Sequence, residues 1–278
     1  MSMIDNDING VKDVIENKQF GVSYEQYGRI YFASNESCHE KIPRFNVKNK
    51  DVLCVLASGD QSFYFLENGA RTVDLFDVNK LALYYYYLRI WNIRYNSSFY
   101  FNENSIKEDI SRLLKVVNPN NETEKYIYNF WLKCISVFSS DEIRMMFYYD
   151  TYEMKETYKS TDLLNNRLKD SSFTFYNIDI SKKADINRKY DIIYTSNISG
   201  YLSIASLKIY ESNMWNLLKK NGVIISTGIN ELGMGGDEKN IMCKNFRGKV
   251  LKERFGTDFS LYCFKKRKIK TLFGDHHE

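Results

Sequence analysis

Residues 51–79 constrain this chain more than any other stretch, because they read as a strand, a glycine turn, a helix and a second strand that ends in an acid. The run 52–57 is short, apolar and rich in β-formers, which suits a strand buried on both faces of a parallel sheet. Ser58-Gly59-Asp60 breaks it. Gly59 permits a positive φ and a close approach of a ligand to the backbone. Residues 61–68, with Phe63, Leu66 and then Gly69, read as a helix with a glycine stop, its N-terminus facing whatever the turn holds. Residues 72–76 form the next strand, and Asp77 stands at its carboxyl end, where a carboxylate can accept both hydroxyls of a ribose. Asp77 lies 18 residues past Gly59, close to the interval of about 20 expected for the acid of a nucleotide-binding unit.

A dinucleotide fingerprint needs three glycines, whereas Ala57-Ser58-Gly59-Asp60-Gln61 supplies one. A pyrophosphate cradle, and with it a dinucleotide-dependent oxidoreductase, is therefore poorly supported. Asp60 would repel phosphates but could pair with an ammonium or a sulfonium. S-adenosylmethionine carries both groups. The plain alternative is a βαβ unit with an acid after its second strand and no ligand.

Leu53-Cys54-Val55-Leu56-Ala57-Ser58-Gly59-Asp60-Gln61, followed by Asn68-Gly69-Ala70 and Phe76-Asp77-Val78-Asn79, resembles an S-adenosylmethionine-dependent transferase-like family. That family includes the aminocarboxypropyltransferases that make betaine lipids from diacylglycerol, and the resemblance is closer to its small, largely uncharacterised bacterial members. Ala33-Ser34-Asn35-Glu36-Ser37 upstream and Tyr194-Thr195-Ser196-Asn197-Ile198-Ser199-Gly200-Tyr201-Leu202 downstream fit it as well. The resemblance covers the cofactor core well and the middle of the chain poorly. It implies a doubly wound, Rossmann-like class I S-adenosylmethionine methyltransferase fold with a seven-stranded sheet, here carrying a helical insertion. The expected cofactor contacts are Ala57, Ser58, Gly59, Asp60 and Gln61 at the amino-acid end, Asp77 at the ribose, and Asn79 beside it in sequence.

Composition agrees with an enzyme of this kind. A chain of 278 residues, 44% hydrophobic and 27% charged, can bury a full core. A net charge of +4 is too mild, and too evenly spread, to imply nucleic acid, although weak attraction to an anionic surface stays open. No apolar run approaches the roughly 18 residues of a membrane span, and residues 1–10 are polar and acidic rather than signal-like, so a cytoplasmic protein is expected. The five cysteines, at 38, 54, 134, 243 and 263, form no Cys-x-x-Cys pair and read as reduced core thiols. Only His39, His276 and His277 are present, leaving almost no material for a zinc site or a histidine triad, and no metal is expected.

Along the rest of the chain, residues 1–20 alternate polar and apolar positions without a sharp cap, with a short helix starting near 11–15. Residues 27–33 are extended, and 34–37 form a loop or cap that either reaches the cofactor or lies on the surface. Residues 80–95 carry apolar side chains at three and four spacing, a long helix on the sheet whose tyrosines 84–87 are packing. Residues 96–171 are too long for an ordinary connection and show helical patterning at 106–117 and 124–137. This insertion, dense in aromatics, is either a lid that selects the acceptor or a structural subdomain.

A third strand is expected over 173–178, with Asp179 just past it in position for an adenine amino group. Residues 191–195 form the fourth strand, ending at Ser196 and Asn197, whose side chains emerge at the carboxyl end of the sheet or else serve as turn caps. A helix over 207–220, a stop at Asn221-Gly222 and a strand over 223–227 follow. The glycine-rich 231–237 segment lacks the lysine of a phosphate loop. Residues 249–255 and 260–265 look like a closing hairpin, and the basic run 265–268 is a solvated edge or a docking patch for an anionic surface.

The expected organisation is an N-terminal segment (1–45), a cofactor core (46–97 and 172–270), the helical insertion (98–171) and a tail (271–278). The expected activity is group transfer from S-adenosylmethionine to a small-molecule or lipid acceptor. Methyl transfer is favoured by the breadth of the fold and aminocarboxypropyl transfer by the resemblance. Ser196, Asn197 and Tyr201 are the candidates on the acceptor side. A non-catalytic binding module on the same fold, using the aromatic insertion to hold a partner, is the alternative of another class.

Overall fold

The structure, a computed structural model, describes residues 2–16, 26–34, 36, 38, 42–149, 158–170, 173–182, 184–198, 202–229, 246–249, 254–255 and 259–266. The chain divides into two compact units, Met1–Ile180 and Ser181–Glu278.

The first unit is an α/β layer. Its parallel strands are β2 (Asp51–Val55), β3 (Thr72–Asp77) and β5 (Phe175–Asn177), with β3 paired to both of the others. Every residue of β2 is buried, which is why the run carries no polar and apolar alternation. Between β2 and β3 lies α2 (Asp60–Glu67), and the chain leaves it through Gly69 at φ 84°, the glycine stop read from the sequence. The long helix α3 (Lys80–Asn96) follows β3 and buries Leu81, Tyr84, Tyr85, Tyr86, Leu88 and Trp91. Buried positions fall on all its sides, so it lies inside the layer rather than on its surface.

Around this layer the unit adds α1 (Met3–Glu16), β1 (Ile30–Tyr31), a 3-10 turn (Ile42–Arg44), α4 (Ile106–Leu114), α5 (Glu122–Val137), α6 (Ser140–Met145), β4 (Phe147–Tyr148) and α7 (Thr161–Asp170). β1 and β4 pair parallel as a two-stranded ribbon. The N-terminal helix is longer than expected because it does have a cap: the Ser2 hydroxyl accepts from Asp5 N (3.2 Å), and the Asp5 carboxylate accepts from Ser2 N (3.1 Å). The helix expected over 106–117 ends at Leu114, where the bonds tighten to Lys115 N with Arg112 O (3.2 Å) and Val116 N with Leu113 O (3.0 Å). The helix expected from 124 begins two residues earlier because Asn121 caps it, accepting from Glu124 N at 2.9 Å. The third strand is only three residues long. Ile178 N turns back onto Tyr176 O (3.0 Å) and Asp77 O (3.1 Å), which closes the ladder.

The second unit pairs β6 (Tyr190–Ser196) parallel to β7 (Leu218–Ile229), which α8 (Ile204–Leu217) precedes. The helix stops at Leu217 rather than at the expected 220, and Asn221-Gly222 lies inside β7. Asn221 takes φ 72° there, at an irregularity in the ladder with β6. A Cβ on Gly222 would sit 2.8 Å from the Leu218 side chain and 3.1 Å from Asp191 O, so this glycine serves a close approach within the sheet. β10 (Phe259–Lys266) runs antiparallel to β7 and also pairs with β8 (Phe246–Lys249) and β9 (Arg254–Phe255). The single strand expected over 249–255 is thus two pieces. Lys249 pairs with Cys263 and Arg254 with Ser260, and the residues between the two pieces lie outside the described residues. The 231–237 segment and residues 267–268 lie outside the described residues.

The side chains of Cys38, Cys54 and Cys134 are buried. No helix among the described residues is long and apolar enough to cross a membrane.

Candidate functional site

The turn between β2 and α2 is built by three hydrogen bonds and two left-handed residues. Leu56 N donates to Phe76 O (2.9 Å) and Gly59 N to Leu56 O (2.6 Å), while Ala57 N leaves the ladder and donates to the Asp77 carboxylate (2.9 Å). Ala57 sits at φ 45° and Gly59 at φ 91°. A left-handed conformation costs a residue with a Cβ about 1–2 kcal/mol, and the Ala57–Asp77 bond is what holds it. Gly59 is required for a further reason. A Cβ there would meet Tyr86 Cδ2 at 2.6 Å, so the close approach is to a packed ring on α3.

Asp77 stands at the end of β3 with one oxygen on Ala57 N and the other on Asn79 N (2.9 Å each). Both oxygens retain lone pairs for further donors. Burial pushes its carboxyl up to about 6, against the backbone N–H groups of Asn79, Ala57 and Val78, which pull it down. Asn79 is committed to structure: its side chain caps α3 through Leu81 N (3.1 Å) and donates to Gly28 O (3.0 Å) and Arg29 O (3.1 Å). Its own N–H holds the Asp77 carboxylate. Asp179 lies two residues past Asn177, the register partner of Asp77, and is half-buried. The Asn177 amide ties the two strand ends together, donating to Asp77 O (3.0 Å) and Val78 O (2.9 Å).

Asp60, expected to meet a ligand cation, is turned inward. It is fully buried and pairs with the equally buried Arg89 at 2.8 Å. The same oxygen accepts from Tyr100 OH (2.8 Å) and from Tyr158 OH, and the other accepts from Ser34 N and Ser58 Oγ (2.7 Å each). Burial is the largest influence and would raise this carboxyl; the adjacent guanidinium and the Ser58 and Tyr158 hydroxyls together outweigh it and hold it below the usual range. Arg89 also donates to Ser58 O (2.8 Å) and lies against the Phe63 and Tyr100 rings, at 4.9 and 4.6 Å from their centroids. The pair therefore clamps the turn from behind and leaves Asp60 no charge to offer a ligand. Ser58 is consumed in the same clamp.

Gln61 is different. It is 2% exposed, its amide nitrogen reaches Ser34 Oγ and Glu36 Oε2 (3.4 Å each), and its Oε1 has no partner. Ser34 and Glu36 are themselves buried and meet the turn rather than lying on the surface, while residues 35 and 37 lie outside the described residues. Arg89, Tyr100 and Tyr158 were missed by sequence reasoning. The signal was available for Arg89, a charge set between Leu88 and Ile90 in the apolar middle of the helix, which calls for a buried acid.

In the second unit, Ser196 ends β6 at φ 54°, its hydroxyl donates to Asn197 Oδ1 (3.3 Å), and its carbonyl accepts from Ser226 Oγ (2.9 Å). Ser196 is buried and Asn197 half-buried. Tyr201 lies outside the described residues.

No protein-family model matches the chain, and no curated protein does. Among solved structures it is similar to the N-methyltransferase NodS from Bradyrhizobium japonicum in complex with S-adenosyl-L-homocysteine, at 10% identity and TM-score 0.46 over 83% of this chain and 86% of that one. It is similar to a TehB-like SAM-dependent methyltransferase from Corynebacterium glutamicum, at 10% identity and TM-score 0.45 over 95% and 98%. It is also similar to the PH0226 protein from Pyrococcus horikoshii, at 10% identity and TM-score 0.48 over 86% and 94%. At these identities and scores the likeness carries no argument about ligand or reaction.

Proposed function

We propose that the first unit binds S-adenosylmethionine and that the protein is a transferase drawing on it, with methyl transfer to a small-molecule or lipid acceptor as the leading reading. The observation that carries this is the Asp77 carboxylate at the carboxyl end of β3, fixed by two backbone N–H groups beside a turn with left-handed residues at Ala57 and Gly59. That placement suits ribose hydroxyls, and the single glycine of the turn disfavours a pyrophosphate. The residues fit an adenosyl amino acid: a free acceptor on Gln61 at one side, a carboxylate with spare lone pairs on Asp77, and Asp179 at the adjoining strand end for the adenine amino group.

The sulfonium supplies an electrophilic carbon. This chain supplies position: Asp77 orients the sugar, and the Asp60–Arg89 clamp keeps the turn from moving when the ligand arrives. Held there, the group would offer its carbon to the acceptor's lone pair with a neutral thioether as leaving group, and the acceptor's proton would pass to water. Ser196, Asn197 and Tyr201 are our candidates on the acceptor side. Aminocarboxypropyl transfer, the second reading, rests on the motif resemblance of residues 53–61 and 76–79. Calorimetric titration with S-adenosylmethionine, adenosylhomocysteine and methylthioadenosine tests the site: micromolar binding lost in Asp77→Ala supports it, and no binding of any of the three removes it. Product mass separates the reactions, since methyl transfer leaves adenosylhomocysteine and the larger transfer leaves methylthioadenosine.

A further inference from the structure

We propose that the cavity between α1, α3 and α5 is a binding site for a small carboxylate with an apolar body, its charge held by Lys80. This site goes beyond the adenosyl ligand and does not depend on it. The cavity measures about 600 Å³, within the range of roughly 300–1,000 Å³ that small-molecule sites occupy. Its walls include Ile4 of α1, Leu83 of α3 and Ile127 of α5, together with the side chains of Tyr84 and Tyr126. Lys80, the first residue of α3, brings an ammonium to that lining, with its side chain 26% exposed.

The sign of the ligand follows from how Lys80 is held. Asp7 is 1% exposed and accepts from Lys80 Nζ (2.7 Å) and from the Tyr27, Tyr84 and Tyr126 hydroxyls (2.6 Å each). A carboxylate offers about four acceptor positions, and these four donors take them, so a ligand ammonium finds no acceptor at Asp7. Lys80 is the reverse case. An ammonium has three N–H donors, and among the described residues one of them is hydrogen-bonded, to Asp7. The Tyr27, Tyr84 and Tyr126 ring centroids lie 5.9, 5.7 and 5.9 Å from Nζ and hold the ammonium in place before any ligand arrives, so it has little freedom left to lose on binding. The other charges of the lining offset each other, since the exposed Lys125 and Glu122 pair at 2.8 Å. What is left to match is a cation with spare donors beside aliphatic and aromatic walls. Its complement is an anionic acceptor on an apolar body, and the two oxygens of a carboxylate can accept from both remaining donors of Lys80.

The test titrates the full chain, by ligand-observed NMR, with 4-phenylbutanoate, 4-phenylbutanamide and 4-phenylbutylammonium, which share a body and differ in the head. The acid is expected to bind with a dissociation constant on the order of 0.1–1 mM, the amide about tenfold more weakly and the ammonium more weakly still. Equal affinity of acid and amide, tighter binding of the ammonium, or no binding of any of the three overturns the site. Leu83→Trp and, from the other wall, Ile4→Trp each fill the cavity and leave Asp7 with its four donors. Whichever of them melts as the wild type does is expected to weaken the acid by more than about tenfold, and undiminished binding overturns the location. The double variant Glu122→Gln with Lys125→Met removes the exposed pair. The preference for acid over amide is expected to persist in it, and loss of that preference overturns the role of Lys80. No adenosyl ligand is present in these titrations, so the site and the cofactor reading stand or fall separately.

Discussion

Replacing Arg89 by Met isolates what the buried clamp contributes. The side chain is fully buried, as is its partner, and Met fills most of the space without the charge. Asp60 would keep four donors, from Ser34 N, Ser58 Oγ, Tyr100 OH and Tyr158 OH, but would lose its paired guanidinium, while Ser58 O and Phe99 O would each lose a donor. Stranding a buried charge costs about 3–5 kcal/mol, so a drop in melting temperature on the order of 5–15 °C is expected at pH 8. The pH dependence makes the reasoning falsifiable. In the wild type the folded pKa of Asp60 lies below its ordinary 3.8, so its contribution is present above that value and is lost only as pH falls through the folded pKa. In Arg89→Met burial acts unopposed and the folded pKa rises. The variant is then least penalised at acid pH and loses stability as pH climbs through the new value. Urea unfolding of both proteins at pH 5 and pH 8 measures this: the stability gap should widen toward pH 8, with the Asp77 titration cancelling between them. A gap that is under about 1 kcal/mol and flat with pH would refute the account of the clamp, since a stranded buried charge costs more than that.

Asp77, with a carboxyl near 6, should make adenosyl binding fall as pH drops below about 6, because ribose hydroxyls favour the ionised form; calorimetry in buffers of different ionisation heats should show proton release on binding near pH 6. The same raised value means the unliganded fold gains stability as pH falls from above 6 toward 4, the opposite direction to its ligand affinity. Gly59→Ala should destabilise by about 2–5 kcal/mol, the sum of a left-handed residue and an overpacked contact on Tyr86, and Tyr86→Leu in the same chain should recover the packing part only. Asp7, 1% exposed, accepts from Tyr27, Tyr84 and Tyr126 hydroxyls (2.6 Å each) and from Lys80 Nζ (2.7 Å). Asp7→Asn should cost about 2–4 kcal/mol and raise amide exchange across α1; unchanged protection of α1 would show that this hub does not fasten the helix.

Local signals carried the reading of the first unit. An unbroken apolar run, a turn glycine, a stop glycine and an acid at a strand end are each decided by neighbours in sequence, and β2, α2, β3 and α3 lie where those signals put them. What failed was decided across the chain. Asp60 was read as ligand-facing because its partner is 29 residues away and the hydroxyls that complete its shell are 40 and 98 away. The Asp7 hub joins residues up to 119 apart, and the helix it anchors looked capless because Ser2 and Asp5 precede any apolar stripe. Helix ends moved by two or three residues wherever a cap, as at Asn121, or a tightened turn, as after Leu114, outranked periodicity.

The clamp also bears on the choice between an enzyme and a binding module. A module that held partners through its aromatic insertion would present those rings to solvent. Yet Phe101, Phe130, Trp131 and Phe147 are buried, and Tyr100 and Tyr158 spend their hydroxyls on Asp60 inside the unit. Among the described residues the large exposed side chains are scattered aliphatics, with Tyr95 the one aromatic, which makes no patch. Two of these aromatics, Tyr100 and Tyr158, are thus used to hold the turn's acid. Rigidity there is worth little to a surface that binds partners elsewhere and a great deal to a site that must hold a reacting carbon in line, since misplacement by an ångström can cost about 100-fold in rate. Phe99, Tyr100 and Tyr158 therefore act on the turn's geometry whether or not they meet a ligand. Tyr158→Phe, which deletes one Asp60 donor and keeps the ring stacked on Phe99, separates the two roles: a lowered transfer rate at unchanged adenosylhomocysteine affinity would mark a positioning function, and loss of affinity alone would mark a structural one.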